Sequence, residues 1–587
     1  MYEIIFNSTI LIFTLISAGH FFSKIILQNN NQLEISHYGI LGIIFLSIIS
    51  FILNLIAPLN EMISNFIFIF IILNFFIIKF KNKLQITNFI KKIIPLILLN
   101  ILLISYSNYY DPDGAWYHLP FSRLINDYKI ILGSASLHPM FGSHSILQYF
   151  AASLHNSLTG PSGVLFVNSL IGAFFLMFFY EKYKLEKNFY LKIFLFMALV
   201  LFFIEMNRVS EYGNDTGGHL FFILTIFFSL KILLEKKLTP IAFKEICLLS
   251  LFTFFIKPLL IFILFIPAWL YIKNNLYKNF SFVPLFSVLI TFFWLLKNTL
   301  LTGCLIYPLN FTCIEKLSWY SSNSNFLISA KNSSQFSELH SKGWKNFDQN
   351  IRKFVNYENE LEKKENFKKS FKWVNSYIEG GYYNNILKKV DYYIIFLSLV
   401  FLILFYLSKK SRLRREKLFK KGDLKKINIL LYLNLIFFFI FIIKFPDGRY
   451  GLSYMFVVIY FIFIYIFCYL NFNLRFLKLI KILNFFLIIL FTVFLLKNSM
   501  KILIQNEIAS PLPDINYKNS QIFKKMSKKI ENGKIFDIYY GDAKNIRFAE
   551  KNLCKYFKSP CIPNGKSIDD FIIEKKSEYL ILKLKEN

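Results

Sequence analysis

The feature that most constrains this chain is a succession of apolar blocks, each about twenty residues long, running from residue 4 almost to residue 500. A helix of that length spans roughly 30 Å, the thickness of a bilayer's hydrocarbon core, and soluble folds do not use such blocks one after another. Only 18% of the 587 residues are charged and 55% are hydrophobic, against about 25% charged in soluble domains. A soluble enzyme is excluded. The expected fold class is an all-α polytopic membrane protein of about 12 to 14 transmembrane helices.

The formal charge of +31 would suggest a nucleic-acid partner in a soluble protein. In a membrane protein the same excess sits in cytoplasmic loops and fixes orientation, so no nucleic acid is expected. The run from Lys409 to Lys426, between two apolar blocks, is the strongest such marker and is placed inside. Counting outward from it, residues 303–390, Phe445 to Gly451 and residues 497–587 lie outside. A Lys-rich connection from Lys79 to Lys92 is likewise placed inside, which makes residues 106–160 an outer loop. Residues 244–272 violate this alternation if they form one helix. A break at Lys257-Pro258, where Pro258 lacks a backbone donor, restores it and brings Lys257 to the outer surface. Both termini then lie outside. The start, Met1-Tyr2-Glu3, lacks a basic flank, so the first block reads as a retained helix rather than a signal peptide.

The expected organisation has four parts: an N-terminal transmembrane region (1–302), an extracytoplasmic loop (303–390), C-terminal transmembrane helices (391–496) and an extracytoplasmic C-terminal domain (497–587). The loop carries Trp319, Trp344 and Trp373 at spacings compatible with amphipathic helices. In the C-terminal domain, the alternating runs from Ile535 to Tyr540 and from Glu578 to Leu582 predict strands of a small α/β fold. Cys304/Cys313 and Cys554/Cys561 form close pairs in polar segments placed outside, while Cys247 and Cys468 fall in apolar blocks. Neither close pair has the spacing or the neighbouring His of a zinc site, so two disulfides are expected.

Chemistry is expected where ionisable groups gather at the edges of apolar helices, because burying them there is costly without a task. Four clusters qualify, and the topology places all of them outside. The first is Tyr109-Tyr110-Asp111-Pro112-Asp113-Gly114-Ala115-Trp116-Tyr117-His118-Leu119-Pro120, in which two carboxylates, an imidazole and aromatic rings could bind a sugar and remove a proton from a hydroxyl. A plainer account is an aromatic belt with a turn. The second runs from Asn207 through Arg208, Glu211 and Asp215. The third is Lys257, and the fourth is Pro446-Asp447-Gly448-Arg449-Tyr450. Cations at the mouth of a membrane cavity suit phosphate, whereas snorkelling to lipid headgroups is their structural alternative.

Read together, these residues resemble the GT-C superfamily of polyprenyl-phosphate-dependent glycosyltransferases, and more closely a bacterial family of GT-C-like membrane proteins. The likeness rests on Asp113 followed by Tyr117-His118-Leu119-Pro120, on the stretch from Leu137 to Ser145, on Trp294-Leu295-Leu296-Lys297-Asn298 with Tyr307-Pro308, on the segment from Pro446 to Tyr450, and on Cys554 through Pro563. The usual Asp-Glu pair of the first site is Asp-Pro-Asp here.

The resemblance implies an integral enzyme of the bacterial cytoplasmic membrane, its site on the extracytoplasmic face. Such an enzyme would move a hexosyl or pentosyl group, with inversion, from a polyprenyl-phosphate-linked donor to a glycan, lipid or protein acceptor. On this reading Asp113 is the general base, with Asp111 and His118 beside it. Lys257, Arg449 and Arg208 hold the donor phosphate, and Trp116, Tyr117, Glu211, Asp215 and Asp447 contact substrate. A divalent cation is the one cofactor with candidate ligands, drawn from Asp111, His118, Glu211 and Asp215. Rival readings are a surface-polysaccharide polymerase or ligase, a transporter or flippase, and a non-catalytic scaffold. A transporter predicts charges near helix midpoints, and few occur.

Overall fold

The computed structural model describes residues 2–25, 27–28, 33–81, 86–105, 113–205, 212–235, 238–276, 282–320, 338–339, 341–342, 371–379, 390–410, 421–469, 476–504, 523–530, 535–541, 554, 556–562 and 568–585. Helices α1 (Tyr2–Ile25), α2 (Ile35–Leu53), α3 (Glu61–Lys81) and α4 (Ile86–Ile104) come first. Three short helices follow: α5 (Leu119–Asp127), α6 (Pro139–Gly142) and α7 (Ile146–Ser153). The apolar series resumes with α8 (Val167–Leu185), α9 (Phe189–Ile204), α10 (Asp215–Glu235), α11 (Pro240–Ile256), α12 (Phe265–Lys273) and α13 (Phe282–Thr302). Beyond the short α14 (Lys372–Glu379) lie α15 (Asp391–Lys410), α16 (Lys421–Lys444), α17 (Gly448–Tyr469) and α18 (Phe476–Ile504).

Each predicted apolar block is helical, because a segment that cannot turn to water must pair its backbone groups internally. Among the described residues, eight helices are long and apolar enough to cross a membrane, fewer than the 12 to 14 expected from block length. Others, such as Phe189–Ile204 and Asp391–Tyr406, are apolar but shorter. The final helix also runs past residue 496, ending at Ile504.

Helices α1 and α2 touch backbone to backbone. A Cβ on Gly19 would lie 1.7 Å from the Tyr38 carbonyl oxygen, and one on Gly42 would lie 1.9 Å from that of Leu15, so both positions require glycine. This contact lies toward the end of α1 and the start of α2. The opposite end gathers the start of α1, whose Asn7 donates to the Thr159 carbonyl (3.2 Å), and the segment after α2, where the Leu59 N–H reaches the Ile125 carbonyl (2.9 Å).

The C-terminal region sits at that same end. Strand β1 (Phe523–Lys529) pairs antiparallel with β2 (Ile535–Gly541), which pairs parallel with β3 (Cys561–Ile562). Strands β4 (Phe571–Lys576) and β5 (Tyr579–Leu584) form a separate antiparallel pair. Both predicted strand runs are present. Among the described residues beyond α18 the helical element of this region is a 3-10 turn, Ile568–Asp570. A two-sheet unit this small has little core of its own, and it leans on the helical region. The Leu132 N–H donates to the Leu580 carbonyl, the Leu582 N–H donates back to the Leu132 carbonyl (2.9 Å each), and Lys129 pairs with Glu578 at 2.8 Å.

Both expected disulfides are formed, Cys304–Cys313 and Cys554–Cys561. Of the three tryptophans expected on amphipathic helices, Trp373 is buried on α14. Trp319 instead lies in a turn segment and donates its indole N–H to the Thr299 carbonyl at 2.8 Å, and Trp344 lies outside the described residues.

Candidate functional site

The site is assembled around the start of α10. Helix α11 ends at Ile256, Lys257 adopts an extended conformation (φ −143°, ψ 95°), and a 3-10 segment begins at Pro258. The break falls where Pro258, having no N–H, cannot continue the helical ladder. Lys257 is 6% exposed. Its ammonium lies 2.7 Å from Oδ1 of Asp215, the first residue of α10, and 4.9 Å from the centre of the Tyr450 ring. A carboxylate in the first turn also meets the positive end of the helix dipole. Gly218, one turn further along α10, allows this approach: a Cβ there would stand 3.2 Å from that of Lys257.

The segment before α10 is tied to the first cluster. The Tyr212 hydroxyl pairs with Ser122 of α5 at 2.7 Å, and its ring meets His118 edge to face with centroids 6.0 Å apart. A Cβ on Gly114 would lie 3.0 Å from the Tyr212 carbonyl oxygen. Burial pushes the Tyr212 phenol well up, so it remains a neutral hydroxyl. Asn168 of α8 donates to the Gly213 carbonyl at 2.9 Å and steadies the same turn. Contacts therefore run from Gly114–His118 through Tyr212 and Asp215 to Lys257 and Tyr450, which join three of the sequence clusters to the fourth.

Asp113 precedes one turn of π-helix, Gly114–His118, a local widening often found at functional sites. Gln148 fixes the His118 tautomer. Its carbonyl oxygen accepts the Ser145 N–H at 2.8 Å, so its amide NH2 faces His118 Nδ1 at 3.1 Å. Nδ1 must then accept, and the neutral ring carries its proton on Nε2. Trp116 and Tyr117 pack on His138, with centroids at 5.4 and 6.1 Å. Asp447 begins the turn into α17, its carbonyl accepting the Tyr450 N–H at 2.9 Å, and the Tyr377 hydroxyl of α14 covers that turn by donating to the Pro446 carbonyl at 2.7 Å.

Asp111, Arg208, Glu211 and the side chain of Arg449 lie outside the described residues. Among the described residues no three His, Cys, Asp or Glu side chains gather to hold a metal ion. Of the four candidate cation ligands, His118 and Asp215 are described, and Asp111 and Glu211 are not.

One buried cation was not anticipated as a site residue. Lys297 is fully buried in α13, donates to the Phe51 carbonyl in the last turn of α2 (2.8 Å), and lies 3.9 Å from the Tyr149 ring centre. It satisfies a carbonyl that the helix end leaves unpaired, so its role is to cap α2. The sequence signal was available: Lys297 is the sole charged residue of its apolar block.

No curated protein and no solved structure matches the chain. Over residues 1–456 the sequence matches the model of a family described as a domain of unknown function (DUF8201), and the chain belongs to that family.

Proposed function

We propose that the protein is a membrane glycosyltransferase that moves a sugar from a polyprenyl-phosphate carrier to an extracytoplasmic acceptor. The observation that carries this reading is the placement of a buried, carboxylate-steadied cation, Lys257, at a helix break beside the Tyr212–Asp215 turn and the Gly448–Tyr450 end of α17. A buried ammonium at the edge of apolar helices suits the phosphate of a lipid whose chain lies along those helices. The order of the sequence motifs, which resembles that of GT-C enzymes, supports the same choice.

In this mechanism Asp113 takes the proton of an acceptor hydroxyl as its oxygen bonds to the sugar's anomeric carbon. The bond from that carbon to the phosphate oxygen breaks on the opposite face, which inverts the centre. Lys257, oriented by Asp215, and Arg449 offset the charge gathering on the departing phosphate. His118 offers its Nε2 proton as a hydrogen-bond donor. The site faces the extracytoplasmic side of a bacterial cytoplasmic membrane.

Carrier binding tests the reading without knowledge of the sugar. Native mass spectrometry in nanodiscs should show the protein retaining an undecaprenyl phosphate in preference to undecaprenol, with the preference lost in Lys257→Met. Equal retention of phosphate and alcohol by the wild type would overturn the proposal.

A further inference from the structure

The far end of α5 borders a concavity of about 570 Å3 lined by Glu61, Asn65, Arg123, Asp127, His155 and Ser157 among others, none of them a residue of the Lys257 site. Its walls are held rigid by their own bonds. Glu61 lies 3.1 Å from His155 Nε2, whose other nitrogen pairs with the Tyr556 hydroxyl at 3.0 Å. Arg123 Nε donates to Asp127 Oδ2 at 2.9 Å, and its guanidinium lies 5.3 Å from the Tyr556 ring centre. Asp127 also accepts the Ser559 N–H at 3.3 Å, while Asn65 and Ser157 bond to each other. Tyr556 itself, from the C-terminal region, is buried against His155 and Arg123.

These bonds use one oxygen of each carboxylate and one nitrogen of the guanidinium. Glu61 keeps over half of its side chain exposed, and Arg123 and Asp127 about a quarter each. Donors and acceptors therefore stand side by side and pre-oriented. A phosphate would face two carboxylates, and a lone cation would face Arg123. Adjacent hydroxyls suit the arrangement, since one can donate to a carboxylate while its neighbour accepts from the guanidinium. Burial is the main cause that lowers the His155 pKa.

We infer that this concavity is a binding site for a neutral, polyhydroxylated chain, and, on the glycosyltransferase reading, that it holds the acceptor glycan. Helix α5 connects the two places: His118 adjoins its first residue, and Arg123, Asn126 and Asp127 lie toward its other end, a helix length of roughly 13 Å. An acceptor of several sugar units gripped here would extend toward the Asp113 segment.

The test uses the full chain in nanodiscs and saturation-transfer NMR. The probe is the neutral oligosaccharide fraction released from the source cell's own envelope, with the anionic fraction run in parallel. The neutral fraction should bind, with affinity reduced about tenfold or more in Arg123→Gln and Glu61→Gln, as expected for loss of a charge-assisted hydrogen bond. Ser157→Trp, which fills the concavity from an exposed position without replacing a member of either charged pair, should also abolish binding at unchanged melting temperature. Lys257→Met should leave glycan binding intact. No binding by the wild type, preference for the anionic fraction, or unchanged binding in Ser157→Trp would overturn the inference. Failure of the carrier-phosphate test with glycan binding retained would instead remove the transferase reading and leave this site standing.

Discussion

The ammonium of Lys257 lies 2.7 Å from the carboxylate of Asp215, which joins the break after α11 to the first turn of α10. The lysine side chain is 7% exposed and the aspartate 34%, so removing one partner strands a charge, more severely for the lysine. Asp215→Asn should lower stability by roughly 1–3 kcal/mol, a value reduced from that of a fully buried pair because Asp215 is partly solvated. Lys257→Met/Asp215→Asn should be less unstable than the sum of the two single variants. Thermal unfolding in detergent, read as a double-mutant cycle, checks this; strict additivity would mean that the pair is not coupled.

Asp113→Asn keeps the side-chain shape and removes the base. Transfer from a labelled lipid-linked donor should fall by about three orders of magnitude while expression and melting temperature stay unchanged. Activity within a few-fold of wild type would move the role to Asp111 or remove the enzyme reading.

For Arg449 the expectation rests on chemistry. A guanidinium can hold two phosphate oxygens at once, whereas an ammonium is a point charge. Arg449→Lys should therefore weaken retention of undecaprenyl phosphate without changing heat stability. Normal retention with a lower melting temperature would assign Arg449 to the turn that contains Asp447.

The pH dependence of stability should reveal His144. Burial, with the charge of Lys297 adding to it, pushes this imidazole down from 6.5 to about 3. The unfolded chain accepts a proton that the folded one refuses, so the contribution is complete above about pH 6.5 and is lost as pH falls toward 3, at about 1.4 kcal/mol per unit. Relative to His144→Phe, the wild type should lose roughly 2 kcal/mol between pH 6.5 and pH 5. Parallel melting curves for the two proteins would show that His144 is hydrated.

Thiol accessibility tests both the disulfides and the orientation. In denatured, unreduced protein, Cys304, Cys313, Cys554 and Cys561 should resist maleimide, since they are paired as Cys304–Cys313 and Cys554–Cys561. After reduction of intact cells, an impermeant maleimide should reach Cys313, the partner that is not buried. Labelling of Cys313 only from the cytoplasmic side of inverted vesicles would reverse the topology.

The sequence by itself determined what depends on neighbouring residues. Block hydropathy located the apolar helices, Pro258 located the break after Lys257, alternation located β2 and β5, and short separations paired the cysteines. Among the described residues, eight helices are long and apolar enough to cross a membrane, and others, such as Phe189–Ile204 and Asp391–Tyr406, are apolar but shorter. Which helix faces meet was decided only by tertiary structure. Apolar helices with little amphipathic contrast look alike on every side, so their packing follows from close approaches such as Gly19 on Tyr38 and Gly42 on Leu15. Packing likewise brings Lys257 to Asp215 across 42 residues and Tyr556 to His155 across 401. Lys297 follows the same rule: its charge stood out in the sequence, but its task as a cap on α2 exists only because α13 packs beside the Phe51 carbonyl. A polar group inside an apolar bundle takes the partner that packing presents, and spacing along the chain carries no record of that choice.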